Sequence, residues 1–344
     1  TCSTKGVMAM NDFLSIYGFL LIQALFATIL GLSLYLPLLT GQLSLASPGF
    51  YAIGGYISAV LSTKFFHQFY QPLLLPIPES ISPNVVSAML QTYRYNNDYP
   101  LLFVFIQMGI SAVICLILAG IIGFLAIRLR GIYLALATIA FVEVVRTLAE
   151  GANDIGGSSG IFGIPQSFGT KIDYAWLAIP MLVICLFVIY RIERGKIGRA
   201  FRAIREDELS TSASGVYTTY YKVLAFALGG MLAGIVGAVY AHFLNTWNPR
   251  QGSFDAGVLY LTFVVVGGSR TIWGPVFGAI LLTLLPELLR SNSGAQWLSD
   301  FLQNGRLIIY GGLLTAAALF FPQGIITPRL LSRVNIFKRI RGRA

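Results

Sequence analysis

The sequence has few charged residues: Asp, Glu, Lys and Arg make up 11% of the 344 residues, while 56% are hydrophobic. Soluble globular proteins contain about 25% charged residues, so this chain cannot cover an ordinary surface in contact with water. Residues 13–63 contain no charged side chain, and residues 99–127 contain none either. A helix of about 20 apolar residues crosses a hydrocarbon core about 30 Å thick. The composition therefore excludes a soluble protein and predicts an all-α, polytopic membrane helical bundle.

Residues that bind metals or catalyse reactions are also scarce. The chain has 3 Cys and 2 His, and no cluster of His, Cys or carboxylates shows metal-ligand spacing. Cys115 and Cys185 lie inside apolar runs, so we expect them to be small core residues. The glycine-rich segment GGSSGIFG, residues 156–163, lacks the GK[ST] ending of a nucleotide-binding loop. We therefore predict that the chain is not an enzyme and binds no cofactor or metal of its own.

The apolar runs predict about nine transmembrane helices, and eight or ten also fit. Long runs can contain broken or re-entrant helices. With short connections the spans use almost the whole chain, so we expect residues 1–344 to form a single transmembrane permease domain. The predicted spans are residues 14–36, 45–62, 100–127, 131–149, 174–190, 223–241, 256–270, 272–290 and 306–321.

The distribution of Lys and Arg predicts the orientation of the spans. If the spans alternate, most basic residues fall on one side, in the segments 128–130, 191–222, 270 and 329–343. Short basic loops stay in the cytoplasm, so we expect a cytoplasmic C-terminus and external connections at 64–99 and 150–173. Contact with anionic lipid headgroups, rather than with nucleic acid, explains the net charge of +10.

The segment 191–222 is the internal connection large enough to present a folded face. Its apolar positions share one helical stripe, which predicts a short amphipathic helix under the membrane, closed by Gly215. This helix either lies on the lipid surface or acts as a rigid lever that docks into a cytoplasmic partner. The stripe consists of Ile197, Phe201 and Ile204, and Leu209 and Ala213 form a second pair rotated by about 100°.

Several blocks of sequence resemble a known family. GRAFRAIREDELSTSASG (198–215) resembles the coupling loop of bacterial ABC-importer permeases. Further blocks resemble the permeases of branched-chain amino-acid importers, and in particular their LivM-type subunit. They are GQLSLASPGFYAIGGY, YLALATIAFVEVVR, GGSSGIFGIP, KVLAFALGGMLAGIVGAVYA and VVVGGSRTIWGPVFGAILLTLLPELLR, which occur in this order between residues 41 and 290.

The resemblance implies a permease subunit in the bacterial inner membrane that imports branched-chain or other neutral amino acids. It implies a second, homologous permease, two ATPase subunits that bind ATP and Mg, and a periplasmic substrate-binding protein as partners. The implied ATPase-coupling residues are Arg199, Arg202, Arg205, Glu206, Asp207, Glu208 and Gly215. The sequence departs from the family in its long 64–99 connection and in the serines at 210, 212 and 214.

Three polar residues in apolar surroundings are candidates for the substrate path. Glu143 is one of them, and it either contacts the ammonium of an amino acid or forms a neutralising ladder with Arg146 and Glu150. Gln42 and Ser44 lie in a break between the first two apolar runs. They either line the path or form ordinary bonds between helices.

The spacing of three glycines predicts close packing but not the packing partner. Gly230, Gly234 and Gly237 share one helix face and predict close helix packing, either within the chain or against a partner permease.

The function also has alternatives. Within the same family, the transported solute could be urea or a short amide rather than an amino acid. A secondary transporter driven by protons or sodium is an alternative of a different class. Such a transporter needs carboxylates within the membrane that relay the ion, and only Glu143 and Glu287 are candidates.

Overall fold

The computed structural model describes residues 2–65, 99–126, 128–129 and 131–292, and the single positions 312, 315 and 324. Side chains are described from residue 18 onward and, in the last long helix, up to residue 284. The basic tail at 329–343, most of the 64–99 connection and the ninth predicted span lie outside this part, except that positions 312 and 315 of that span are helical.

Most of the described residues are helical. The one ladder among them joins β1 (Ile161–Phe162) to β2 (Thr246–Trp247), antiparallel, with Ile161 opposite Trp247. The helices are α1 (Cys2–Leu39), α2 (Ser47–Val60), α3 (Leu101–Ala126), α4 (Ile132–Gly151), α5 (Ala175–Arg194), α6 (Lys196–Glu206), α7 (Glu208–Ala213), α8 (Thr218–Leu244), α9 (Phe254–Gly267) and α10 (Trp273–Asn292).

Helix α8 forms the centre of the bundle, with α1, α2 and α3 packed around it. Its small residues allow this approach, because a methyl group at Gly237 would overlap the carbonyl oxygen of Tyr51 on α2. A methyl group at Gly234 would likewise overlap the thiol of Cys115 on α3. The close packing predicted for these glycines therefore occurs within the chain. Cys115 and Cys185 are both buried, as expected.

Five described helices are long and apolar enough to cross a membrane: Gly18–Leu39, Leu101–Ala126, Ile132–Gly151, Lys171–Arg194 and Thr218–Leu244. Together with the shorter apolar helices, they confirm the all-α membrane bundle. The predicted span at 256–270 is a helix of 14 residues, which at 1.5 Å per residue reaches about 21 Å. It is too short to cross the hydrocarbon core alone, and it packs against α10 and α1.

Two separate groups of buried residues make up the core. The larger group surrounds α8 and includes residues of α1 to α6 and Val264 of α9. The smaller group lies between α1 and the hairpin of α9 and α10, and it consists of Ala27, Phe263, Val266, Ala279 and Leu282. The hairpin therefore packs on α1 through the smaller group and joins the larger group through Val264.

Candidate functional site

The predicted coupling segment folds into two short helices, α6 and α7, rather than one. The chain is extended at Asp207, and its carboxylate accepts hydrogen bonds from the backbone amides of Leu209 at 2.9 Å and Ser210 at 3.2 Å. Asp207 is therefore the N-cap of α7. Gly215 follows α7 with φ of +82°, a conformation that glycine adopts without steric cost. Leu209 and Ala213, the second apolar pair of the sequence, lie beyond this break, and both are exposed.

The apolar stripe of α6 packs against the bundle. Phe201 is fully buried and Ile204 nearly so, and the Phe201 ring lies edge-on to Tyr221 of α8 at 6.3 Å between centroids. Gly198 lies so close to the end of α5 that a methyl group there would overlap the backbone of Glu193. Because this stripe contacts protein, α6 is an integral part of the fold and not a loose helix on the lipid surface.

The charged residues of the coupling segment divide between two faces. Arg199, Arg202 and Glu206 are exposed. Arg205 faces inward, and its Nη1 donates to the carbonyl oxygen of Ser269 at 3.2 Å. Burial lowers the pKa of the Arg205 guanidinium, and the positive charge of Arg270 lowers it further.

Glu208 also has a partner within the chain. Its carboxylate pairs with the ammonium of Lys222 at 2.6 Å, which joins α7 to the second turn of α8. The described contacts of Arg205, Asp207 and Glu208 are thus structural. A direct role in docking to a partner stays a prediction for all of the coupling residues.

Three large apolar or aromatic side chains accompany the exposed charges. Leu209 is 73% exposed, Tyr217 83% and Tyr220 62%. Together with Arg199, Arg202 and Glu206 they form what we call the outer surface of the coupling segment. Tyrosine and arginine are enriched at protein interfaces, so this composition is typical of a docking surface.

The break between α1 and α2 lies beside the coupling segment. A methyl group at Gly41 would stand 3.6 Å from the Cα of Arg205. Two backbone amides of the break have side-chain acceptors: Leu45 donates to the hydroxyl of Thr138 on α4 at 3.0 Å, and Ala46 donates to the hydroxyl of Ser44 at 3.3 Å. Gln42 is buried, and its Oε1 has no hydrogen-bond partner among the described residues.

Glu143 belongs to the ion-pair ladder that its spacing predicted. Arg146 contacts Glu143 at 3.3 Å and Glu150 at 3.0 Å. The second oxygen of Glu143 accepts a hydrogen bond from the backbone amide of Phe254 at 3.3 Å, in the first turn of α9. A carboxylate is favourable at this positive helix end. The ladder is confirmed, and a contact between Glu143 and a substrate stays a prediction.

The structure also contains a polar network that sequence reasoning missed. His242 is fully buried, and its Nδ1 donates to the carbonyl oxygen of Pro165 at 2.6 Å. Its Nε2 lies 3.0 Å from the hydroxyl of Ser58, and that hydroxyl donates to the side-chain oxygen of Gln107 at 2.9 Å. Gln107 reaches on to the hydroxyl of Tyr99 at 2.6 Å. The sequence signal for this network was the presence of two polar residues, Gln107 and His242, next to long apolar stretches.

The network holds separate parts of the bundle together. Ser58 lies on α2, Gln107 on α3 and His242 on α8, while Pro165 belongs to the connection between α4 and α5. These residues are far apart in the chain, so only the folded structure brings them together. Buried polar groups are costly unless they are paired, so the network stabilises this arrangement of helices.

The geometry defines a polytopic helical membrane protein with a structured coupling segment at one end. The sequence matches the family described as "Branched-chain amino acid transport system / permease component" over residues 16–311. The chain therefore belongs to this family of transport permeases. No solved structure gives a significant match.

Named relatives agree with the family. The permease protein LivM of Salmonella typhimurium (strain LT2), from a high-affinity branched-chain amino acid transport system, is 30% identical over 330 residues, which cover 87% of this chain and 67% of that protein. LivH of the same organism is 27% identical, over 58% of this chain and 64% of LivH. LsrC of Yersinia enterocolitica, an autoinducer 2 import permease, is 27% identical over 46% of each chain.

Proposed function

We propose that this chain is one of two permease subunits of an ATP-driven importer for branched-chain or other neutral amino acids in a bacterial inner membrane. Two ATPase subunits would dock beneath it, bind ATP and Mg and supply the energy. An external binding protein would deliver the solute. The names of LivM and LivH support this substrate class, because both are permeases of branched-chain amino acid transport systems.

The proposal rests mainly on helix α6 of the coupling segment, which has one buried apolar face and one exposed charged face. One face of α6 is buried in the bundle through Phe201 and Ile204. The opposite face exposes Arg199, Arg202 and Glu206. A helix that is fixed on one side and presents charged groups on the other can transmit a partner's movement to the spans. The basic composition of this end also agrees with a cytoplasmic position.

The solute path is a second part of the proposal. Gln42 and Ser44 are buried beside the coupling segment. A buried acceptor without a hydrogen bond costs about 1–3 kcal/mol, and this cost is offset if Gln42 contacts a polar solute or water during transport. Glu143, which is bound to Arg146 and to the start of α9, is a weaker candidate because both of its oxygens already have partners.

The proposal is tested with the complete complex in proteoliposomes. Radiolabelled leucine uptake should require ATP, the ATPases and the binding protein. The Arg202→Glu variant should bind the ATPases more weakly, because it reverses a charge on the outer surface. Arg194→Glu is the matched control, since Arg194 is also exposed but lies at the end of α5 and stacks on Tyr190. ATP-independent leucine uptake by the purified chain with an ion gradient would instead support a secondary transporter.

A different solute remains the alternative within the family. The LsrC relative is named for autoinducer 2 import, so related permeases serve solutes other than amino acids. Competition of leucine uptake by isoleucine, valine, urea and acetamide distinguishes these substrate classes. Strong competition by urea or acetamide would contradict the amino-acid assignment.

A further inference from the structure

Helix α6 is attached to the bundle by polar contacts near both of its ends. Before its start, the hydroxyl of Tyr35 on α1 donates to Glu193, in the last turn of α5, at 2.6 Å. Tyr35 is fully buried, so this bond fixes the end of α5 beside α1. In the last turn of α6, Arg205 makes the second attachment.

Arg205 bridges α6 to the turn between α9 and α10. Its Nη1 donates to the carbonyl oxygen of Ser269 at 3.2 Å, and its Nη2 lies 3.5 Å from the Ser269 hydroxyl. On another side, the arginine backbone packs against Gly41 at the end of α1. Arginine keeps its charge in proteins, so a half-buried guanidinium retains its carbonyl partner strongly.

The hairpin that receives this contact is tightly joined. A methyl group at Gly267 would overlap the carbonyl oxygen of Gly274, and one at Gly278 would overlap the carbonyl oxygen of Phe263. The backbones of α9 and α10 are therefore in direct contact. The hairpin also contacts the rest of the bundle, through the smaller cluster shared with α1 and through Val264 in the larger cluster. Because α9 and α10 are in backbone contact, a displacement of their connecting turn at Ser269 acts on both helices.

We propose that Arg205 is a positioning residue that transmits movement of α6 to the hairpin of α9 and α10. This inference rests on the proposed function, because the movement of α6 comes from the docked ATPases. Arg205 faces away from the outer surface and has a different role from Arg199 and Arg202. Its loss should leave the ATPases bound but should uncouple nucleotide binding from movement of the hairpin.

Spin-label distances in the complete complex test this role. One label is placed at Gly120→Cys on α3, where a side chain meets no described atom within 4 Å, and the other at Ile280→Cys on α10, which is 36% exposed. The distance is measured with and without nucleotide. The variants are Arg205→Met, which keeps the aliphatic stem, Arg205→Lys, which keeps the charge, and the control Arg194→Met.

The inference predicts a nucleotide-dependent change in distance in the parent complex and in Arg194→Met. The change should be lost in Arg205→Met and partly restored in Arg205→Lys, with ATPase binding retained in all variants. Leucine imported per ATP hydrolysed should fall by about 2-fold to 30-fold in Arg205→Met, the range by which single residues alter coupling.

Two results would overturn the inference. Either the distance does not respond to nucleotide in the parent complex, or Arg205→Met responds as the parent does. Failure of the proposed function looks different. In that case the parent complex shows no ATP-dependent leucine uptake, whatever the distance measurement shows.

Discussion

Replacing Gly237 with alanine tests the packing at the centre of the bundle. The added methyl group would overlap the carbonyl oxygen of Tyr51 and lie 2.8 Å from the amide nitrogen of Gly55. Both atoms belong to the backbone of α2, so no side-chain rotation relieves the overlap, and α2 and α8 must separate. Overpacking of this kind costs about 1–3 kcal/mol of unfolding free energy, and more where backbone must move.

Gly120→Ala is the matched control for this prediction. Gly120 lies in α3, and a methyl group there meets no heavy atom of the described residues within 4 Å. Alanine favours a helix over glycine by about 1 kcal/mol, so the control should gain slightly in stability. The same gain applies at Gly237 and cancels in the comparison, so the two variants should differ by the overlap cost alone, about 1–3 kcal/mol or more.

The measurement is thermal unfolding of both variants in the same detergent. Gly237→Ala should unfold at a clearly lower temperature than the parent, and Gly120→Ala at an equal or higher temperature. Equal unfolding temperatures for the two variants would refute the close contact between α2 and α8.

Three further variants test the polar contacts. Glu143→Gln should change the unfolding free energy by less than about 1 kcal/mol, because the ion pair is partly exposed and the amide oxygen can still accept from Phe254. A larger loss would contradict this. His242→Ala should cost about 3 kcal/mol or more in thermal unfolding, because it leaves buried polar groups unpaired; an unchanged midpoint would refute the network. Asp207→Ala should weaken α7 by about 1 kcal/mol and speed amide exchange at Leu209, whereas Asp207→Asn should not; equal exchange rates would exclude the N-cap.

Much of the fold follows from the sequence because the bilayer restricts the choices. Uncharged runs must hide their backbone polar groups, and a helix does so within each segment. The helical stripe of Ile197, Phe201 and Ile204 correctly indicated the buried face of α6. Likewise, the spacing of Glu143 and Arg146 indicated their ion pair, because residues three apart are neighbours on a helix.

The inward position of Arg205 could also be predicted from the helical geometry of the sequence. At 100° per residue, Arg205 lies about 40° from Phe201 around the helix axis, whereas Arg199 lies about 160° away. The regular spacing of the arginines therefore spreads them around α6 and does not collect them on one docking face. What the sequence could not supply is the partner of Arg205, since Ser269 is far away in the chain.

The network around His242 could not be predicted for the same reason. Its members come from separate helices and a connection, so a polar residue inside an apolar run signals a buried partner without showing which residue that partner is. The side-chain oxygen of Gln42 has no hydrogen-bond partner among the described residues, and this too could not be predicted, because only the fold determines which groups surround it.

If partner ATPases bind the outer surface of the coupling segment, they should shield its residues from water-soluble reagents. Maleimide labelling of Ala203→Cys tests it most directly, with Ser158→Cys as the control, because both positions are exposed and Ser158 lies in the connection between α4 and α5. Ala203→Cys should react in the isolated chain and be protected in the assembled complex, while Ser158→Cys should react in both. Equal labelling of Ala203→Cys with and without the ATPases would contradict it.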